Sequence, residues 1–384
     1  MAQIKQFQGL NNVSDALRLG MSWLVQADNV NITDRGALEK RSGYTLHKAG
    51  AYSTAYSTED FKRMYLVEGL ALKSFDGVVI AALTSTSDMQ FSEINGSVYF
   101  SNGTDCGIIE QDNTLLEWQW PIPAAPAVSA VTGSIPRGTY SVCCTFMLED
   151  GRETGTSDPV TIEIEDGQAI AISGIQHIAG MRTRVYIAPA NSAIFQLAGE
   201  VAQNAIVWNA SNDDLGTDLK TDGFDPLPDG VSSIAVFKGR VFAAQYMPMF
   251  DQTVIWYSQP LGFHLFDLSS DFFMVPGEAV MLAPTDSALV VGTKKAIHAY
   301  NSDGLTLLAD YGVIPGQHWS VDDDKRIIFW TSRGVCAAMP FTNLTEKSVS
   351  VAPGIKAGGT IVRQGGQRRY LAVLQQGGSA FNAF

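Results

Sequence analysis

A short unit, in which two apolar stretches flank a tight turn, recurs along this chain and constrains its fold more than any other feature. Its copies are anchored at Tyr65, Val98, Val241, Leu289, Ile328 and Leu371. Consecutive anchors are 33, 143, 48, 39 and 43 residues apart. If about a hundred residues are inserted in the long step, the period is near 40 residues, which is typical of propeller blades that bury their faces against neighbouring blades. The spacing predicts an all-β chain forming a β-propeller of about six blades.

The predicted insertion has the features of a small β-sandwich. Prolines punctuate its start at Pro121, Pro123 and Pro126, and the stretch Val160 to Glu165 alternates apolar and polar residues. About five to seven short strands fit into the span, which matches one fibronectin-type-III-like module. We therefore expect a propeller formed by residues 1–121 and 213–384, interrupted by an inserted β-sandwich over residues 122–212.

Composition and charge exclude several classes of protein. Of all residues, 46% are hydrophobic and only 17% are charged, which is the balance of a globular chain and excludes disorder. There are 39 acidic and 26 basic residues, a net charge of -13. Tight binding to a phosphate backbone needs many cationic contacts, so this balance disfavours it. No apolar stretch approaches the roughly 18 residues of a membrane helix, and the N-terminus lacks an apolar signal region. We expect synthesis in a cytosol and no membrane span.

The usual markers of catalysis and cofactor binding are absent from the sequence. No GxxxxGK[ST], GxGxxG, HExxH or GxSxG motif occurs. The four cysteines are scattered without a CxxC pair, and the five histidines are far apart, so packing or turn roles are favoured over metal binding. We therefore predict no enzymatic activity, no catalytic residues, no cofactor and no metal site.

Motifs along most of the chain resemble the tail-tube or nozzle proteins of tailed bacteriophages, especially short-tailed ones. The resemblance rests on Gly9–Asn12, Ala27–Thr33 and Gly36–Tyr44, on Pro136–Tyr140, Asp150–Ser157 and Arg184–Ile187 in the inserted module, and on Val291–Tyr300, Tyr311–Gly316 and Ile328–Val335. It implies a propeller-like virion subunit that forms a ring, as a homohexamer, around a channel for genome ejection. It also implies synthesis in the host bacterial cytoplasm, assembly into the phage tail, and contacts with portal or head-to-tail adaptor proteins and tail fibre proteins.

This reading assigns the acidic clusters to the DNA channel or its rim. An acidic lumen repels phosphates from every side, so duplex DNA passes without specific binding. The candidate residues are Asp213, Asp214, Asp218, Asp222 and Asp225, in a segment that continues to Asp229, and the triplet Asp322, Asp323 and Asp324. Solvated outer loops are the other interpretation of both clusters. The candidate subunit contacts are the aromatic residues Trp256, Tyr257, Phe263 and Phe266.

Two other functions stay open at this point. One is a carbohydrate-binding or glycan-processing propeller with an accessory module, because propellers often carry such sites. The sialidase spacing Ser-x-Asp-x-Gly is, however, not met by Ser302-Asp303-Gly304. The other is a propeller scaffold for proteins in a cell. A fixed six-fold assembly distinguishes the tail subunit from both.

Overall fold

The structure, a computed structural model, describes residues 6–33, 35–364 and 367–377. The predicted propeller parts also include residues 1–5, 34, 365–366 and 378–384, which lie outside the described residues. Within the described ranges the chain forms 34 β-strands and one 3₁₀ turn at Asn212–Asp214. The predicted all-β class is therefore confirmed. In this part of the chain, no helix has the length and apolar character needed to cross a bilayer.

Two short two-stranded sheets form the N-terminal region. The first pairs β1 (Gly9–Leu10) and β2 (Trp23–Leu24) in parallel, and the second pairs β3 (Val30–Ile32) and β4 (Leu38–Lys40) antiparallel. Asn12 connects this region to the C-terminal part. Its side-chain amide donates to Ser350 O at 2.9 Å, and its Oδ1 accepts from Ser350 N at 2.7 Å. Asn12 thus lies beside a segment more than 300 positions later in the chain.

The next two sheets are four-stranded antiparallel meanders in which consecutive strands are neighbours. Sheet I contains β5 (Tyr52–Ser57), β6 (Met64–Glu68), β7 (Ala71–Ser74) and β8 (Val79–Ala82). Sheet II contains β9 (Gln90–Ile94), β10 (Ser97–Ser101), β11 (Cys106–Ile109) and β12 (Leu115–Leu116). The turn between β9 and β10 is Asn95-Gly96, with φ of 52° and 85°. Both angles are those of a type I′ hairpin turn, which Asn-Gly adopts readily.

Seven strands form a separate two-sheet unit after sheet II. They are β13 (Ala127–Thr132), β14 (Gly138–Leu148), β15 (Val160–Ile164), β16 (Gln168–Ser173), β17 (Met181–Ala188), β18 (Gln196–Val201) and β19 (Ala205–Trp208). One sheet has the order β13-β16-β19 and the other β15-β14-β17-β18. Tyr140, Ile172 and Val185 belong to a core that draws on both sheets. The unit lies inside the predicted insertion at 122–212, while the division into domains stays a prediction.

Three further antiparallel sheets follow. Sheet III contains β20 (Val231–Phe237), β21 (Arg240–Met247), β22 (Gln252–Gln259) and β23 (Gly262–Phe266), and β24 (Phe272–Pro276) also pairs with β22. Sheet IV contains β25 (Ala279–Pro284), β26 (Leu289–Thr293), β27 (Ile297–Asn301) and β28 (Gly304–Ala309). Sheet V contains β29 (Ser320–Val321), β30 (Ile327–Thr331), β31 (Gly334–Ala338) and β32 (Thr342–Asn343). A terminal hairpin pairs β33 (Lys356–Gln364) with β34 (Gln367–Gln375).

Each sheet in the series shares an apolar core with the next. The shared clusters contain Leu72 and Phe100 for sheets I and II, Tyr99 and Val241 for II and III, Phe242 and Leu289 for III and IV, and Val290 and Phe329 for IV and V. A single sheet of this size cannot bury both of its faces alone, so these clusters supply the burial that stabilises it.

The terminal hairpin contacts sheet V on one side and the segment between sheets I and II on the other. Trp330 Nε1 donates to Pro353 O at 2.9 Å, and Ala357 N donates to Pro315 O at 2.8 Å. On the opposite side, Lys356 forms an ion pair with Asp88, just before β9. The series of contacts therefore returns from the end of the chain to its first sheets.

The six anchor residues of the sequence repeat have one structural position in common. Each lies on the second strand of its sheet or hairpin, that is on β6, β10, β21, β26, β30 or β34. The sequence period thus corresponds to one antiparallel unit per repeat.

Candidate functional site

The segment from Ser211 to Asp229 exposes most of its carboxylates to solvent. Asp213 and Asp214 lie in the 3₁₀ turn, whose first residues are capped by the Ser211 side chain. Asp218 accepts a hydrogen bond from Gln196 Nε2 at 3.1 Å. Among the described residues, Asp213, Asp214, Asp218 and Asp222 form no ion pair with a cationic side chain. No cationic side chain of the described residues therefore neutralises their negative charge.

The triplet Asp322–Asp324 has the opposite environment, because arginines neutralise it. Asp322 Oδ2 accepts from Arg326 Nε at 2.9 Å and pairs with Arg326 Nη2 at 2.8 Å. Asp323 pairs with Arg363 and with Arg368, the latter at 2.6 Å. Three aspartates thus face three arginines, and the cluster has little net charge. Two of these arginines come from the terminal hairpin, about 40 residues away in sequence.

The pKa values of two predicted site residues shift in opposite directions. Burial disfavours ionisation of Asp322, but hydrogen bonds from the backbone and guanidinium of Arg326 outweigh it and hold the pKa of this carboxyl below its usual value. Burial raises the pKa of Asp225, and the neighbouring charges of Asp267 and Asp158 raise it further. The folded structure therefore disfavours the ionised form of Asp225 and favours the ionised form of Asp322.

The four aromatic residues predicted as subunit contacts have different degrees of burial. Phe266 is 0% exposed and belongs to the core shared by sheets II and III. Packing within this chain accounts for its side chain, so Phe266 is not available to a partner and that prediction is wrong. Trp256, Tyr257 and Phe263 are half-buried. Trp256 Nε1 donates to Gln245 Oε1 at 3.0 Å.

A cavity that the sequence analysis did not identify lies where the first strands of sheets I to V come together. Its volume is about 610 Å³, and we call it the strand-end cavity because the C-terminal ends of the first strands and the turns after them line it. Aromatic and charged groups share the lining: Tyr56, Phe91 and Trp319 with Glu59, Glu93, Asp286, Lys238 and Lys325. Its described lining contains none of the eight candidate acidic residues. Each of these aromatic and charged residues lies three to nine positions before the anchor of its repeat. That shared position is the signal in the sequence that could have identified them.

His318 is a fully buried titratable group in the corner formed by sheet V and the terminal hairpin. Its Nδ1 accepts from Trp330 N at 3.0 Å, which assigns the proton to Nε2. That Nε2 has no partner among the described residues. Burial lowers the pKa of His318 to about 4. The side chain is therefore neutral at pH 7, and it accepts a hydrogen bond from the backbone of β30.

Metal binding has no assembled site in the part of the chain that the structure describes. No group of three or more His, Cys, Asp or Glu side chains there is arranged to hold an ion. Burial also raises the pKa of the Cys106 thiol to about 11 and that of Cys144 to about 12. Such thiols are protonated at neutral pH and are poor nucleophiles and metal ligands.

No protein-family model matches this chain, and no curated protein matches it either. Solved structures give distant likenesses. The extracellular domain of a hybrid two component system from B. thetaiotaomicron is 10% identical, with a TM-score of 0.31, over 82% of this chain and 36% of that one. Porphyromonas gingivalis dipeptidyl peptidase 4 is 10% identical, with a TM-score of 0.28, over 80% of this chain and 47% of that one.

A third likeness is to PorZ, a surface component of the type-IX secretion system of Porphyromonas gingivalis. It is 12% identical, with a TM-score of 0.23, over 91% of this chain and 56% of that one. This chain therefore spans about a third to just over half of the length of these proteins. At such TM-scores the likenesses carry no argument about function.

Proposed function

We propose that this chain is a structural ring subunit of a bacteriophage tail, in the tail tube or nozzle, without a catalytic role. The observation that carries the proposal is the two-sheet unit lodged between sheets II and III of an otherwise regular series. The resemblance in sequence implies this order of parts. The pairwise cores and the ion pair of the terminal hairpin with Asp88, between sheets I and II, support a β-propeller, with five sheets and the hairpin as six positions.

The electrostatics of the acidic segment support passage of DNA without specific binding. Asp213, Asp214, Asp218 and Asp222 are exposed and form no ion pairs with described residues, so a ring of subunits multiplies their field. Phosphates approaching such a lumen are repelled from all sides and find no deep attractive well. The triplet at Asp322 contributes little to this field because arginines neutralise it. We therefore assign the lumen or rim role to the segment.

The proposed partners follow from a ring placed in a tail. Copies of the chain contact each other around the ring, as a homohexamer, while portal or head-to-tail adaptor proteins and tail fibre proteins bind its faces. The location is the virion, after synthesis in the host bacterial cytoplasm. Duplex DNA passes through the ring and is retained until ejection.

The mass of the assembled protein tests the proposal. The full chain is purified and its molar mass is measured by light scattering over a range of concentrations, followed by negative-stain imaging. A six-fold ring with a central channel wide enough for duplex DNA is the expected result. The same particles should bind a short DNA duplex weakly and with a shallow dependence on salt. A monomer at all concentrations, or a steep salt dependence of DNA binding, contradicts the proposal.

The strand-end cavity favours carbohydrate binding as a second candidate function. Trp319 and the Tyr56 ring, which stacks on Phe91, line the cavity with aromatic surface of the kind that packs against sugar rings, and the carboxylates of Glu59 and Glu93 can accept hydrogen bonds from hydroxyls. A glycan library and calorimetry test it. Carbohydrate binding becomes the favoured function if the chain stays monomeric, binds or cleaves a saccharide, and loses this binding in Trp319→Ala.

A further inference from the structure

The turn between β21 and β22 presents two large apolar side chains to solvent. In the segment Tyr246–Asp251, which is the end of β21 and the turn after it, Met249 is 92% exposed and Phe250 is 70% exposed. Hairpin turns usually contain Gly, Asn, Asp or Pro, since these residues suit the backbone and are well solvated. Single exposed apolar residues are common, but an adjacent Met and Phe at a turn tip form a patch that water solvates poorly. We call this segment the apolar turn.

Hydrogen bonds hold the apolar turn in one conformation. Phe250 N donates to Met247 O at 3.1 Å, and Tyr246 OH donates to Asp251 Oδ1 at 3.0 Å. Gly277 N, just before β25, donates to Asp251 O at 2.8 Å. The Asp251 carboxylate also pairs with Lys295 of sheet IV. The turn is therefore fixed to two sheets, and its apolar tip is preorganised for contact at low entropic cost.

An open cleft of complementary character lies between β5 and the terminal hairpin. It has a volume of about 500 Å³, within the range of pockets that enclose small ligands. Ala55, Ala357 and Val373 contribute apolar surface to its lining, and Val373 is 54% exposed. The ion pair of Lys356 with Asp88 stands at this cleft. We call it the hairpin cleft.

The turn and the cleft occupy the same end of the molecule. First strands converge at their C-terminal ends on the strand-end cavity, so their N-terminal ends point away from it. The hairpin cleft is lined by the N-terminal parts of β5 and β33. The apolar turn follows β21, which runs back along β20 and pairs Gln245 with Val231 at the start of β20, and the turn contacts Gly277 just before β25. Both features thus lie opposite the strand-end cavity.

The two features are also separated by half of the sheet series. Counting the terminal hairpin as the sixth position, sheet III lies three positions from it in either direction. In the proposed six-position propeller, the two surfaces therefore lie on opposite sides. A head-to-tail ring requires two different surfaces placed in this way, because each copy presents one of them to each neighbour. Each surface also carries an ion pair of its own at its edge, Asp251 with Lys295 at the turn and Lys356 with Asp88 at the cleft.

We infer that the apolar turn of one copy inserts Met249 and Phe250 into the hairpin cleft of the next copy. This inference rests on the proposed ring and names its subunit contact. It replaces the predicted contact region at Trp256 to Phe266 as the centre of the interface. Insertion removes the two exposed side chains from water and covers the exposed Val373 at the same time.

Oligomeric state after substitution of the tip tests the contact. Met249→Ser and Phe250→Ser are combined in the full chain, with Leu261→Asn as the matched control. Leu261 is 79% exposed on the same sheet but at the turn between β22 and β23, at the other end. The expected result is loss of the ring at concentrations where the wild type and the control remain fully assembled. Unchanged circular dichroism and melting temperature establish that the variant is folded.

A cysteine pair provides the second measurement. Phe250→Cys and Val373→Cys in one chain should give a ladder of disulfide-linked oligomers under oxidation, whereas either single variant gives none. The contact is overturned, and the ring is not, if the wild type forms a ring, the double serine variant keeps it and the double cysteine variant forms no ladder. A wild-type monomer overturns both the ring and the contact. Binding of the wild type to phosphatidylglycerol vesicles, lost in the serine variant, assigns the tip to a membrane and also overturns the inference.

Discussion

Two acidic regions of this chain have nearly the same appearance in sequence and opposite electrostatics in the structure. The exposed segment around Asp213 and Asp214 keeps its charge, because no cation of the described chain pairs with it. The triplet at Asp322 is neutralised by Arg326, Arg363 and Arg368 and helps to fasten the terminal hairpin to sheet V. A run of aspartates thus indicates either an electrostatic surface or a structural joint. The cations that the fold brings to it decide which.

The corner that contains the triplet, where His318 is buried, should be sensitive to acid. The pKa of His318 falls from 6.5 to about 4 on folding. The unfolded chain therefore binds a proton first as the pH falls, so the full stability is present above pH 6.5 and is lost progressively down to pH 4. The expected loss is about 3 kcal/mol, from about 1.4 kcal/mol per pKa unit.

Urea unfolding at pH 7 and pH 4.5 measures this loss. His318→Asn is the matched variant, because the Asn Oδ1 can replace Nδ1 as the acceptor for Trp330 N and has no proton to gain. Its free energy of unfolding should fall less between the two pH values than that of the wild type. Equal falls in the two proteins would show that His318 does not contribute to acid sensitivity.

Removing one carboxylate from each region should separate their roles in stability. Asp322 is 12% exposed, and its Oδ1 accepts from Arg326 N at 2.8 Å and Asp324 N at 2.9 Å. Asp322→Ala leaves these donors and the guanidinium without their partner, which should cost about 2 kcal/mol. Asp213→Ala removes an exposed charge and should change stability by less than about 0.5 kcal/mol. Urea unfolding at pH 7 measures both, and equal effects would contradict the distinction.

Removing the charge of Asp225 should have the opposite effect on stability from removing that of Asp322. Its pKa is raised by burial and by Asp267 and Asp158, so ionisation is disfavoured in the folded state. Asp225→Asn should therefore increase the free energy of unfolding at pH 7, by less than about 1 kcal/mol given the screening by water. The gain should disappear below about pH 3, where the wild-type carboxyl is itself protonated. A loss of stability at pH 7 is incompatible with this account.

Neutralising the exposed segment should have the smallest effect on stability and a clear effect on DNA. Asp213, Asp214, Asp218 and Asp222 changed together to Asn reduce the net charge from -13 to -9 per subunit (-13 plus 4). Stability should stay within about 0.5 kcal/mol of the wild type. Weak binding of a short DNA duplex at low salt should become several-fold tighter, as measured by fluorescence anisotropy. Unchanged DNA binding would place the segment away from the DNA path.

Local pattern was sufficient for the strands and for the repeat. The six anchors found by spacing all lie on second strands, and Asn95-Gly96 forms the turn that its residue types favour. Strand formation depends on alternation and turn residues that are neighbours in sequence, so these features can be read without a fold. The position of the two-sheet unit was predictable for the same reason, because an extra run of strands lengthens one step of the repeat.

The candidate site was predictable only in part. The aspartates were identified, but not that Arg363 and Arg368 reach Asp323 from the terminal hairpin. Phe266 was predicted as a contact because it is aromatic, but it is buried. Met249 and Phe250 were not predicted as contacts, although they are exposed. Residue type alone does not reveal which side of a strand or turn faces a neighbouring sheet.

The amino-acid sequence by itself determined the all-β class, the repeating unit and the place of the interruption, because each follows from the order of residues along a few strands. Only the tertiary structure decided which charges are neutralised, where the first strands enclose a cavity and which apolar groups remain exposed. Those properties depend on groups far apart in the chain, such as Lys356 and Asp88, which meet only after the sheets have packed.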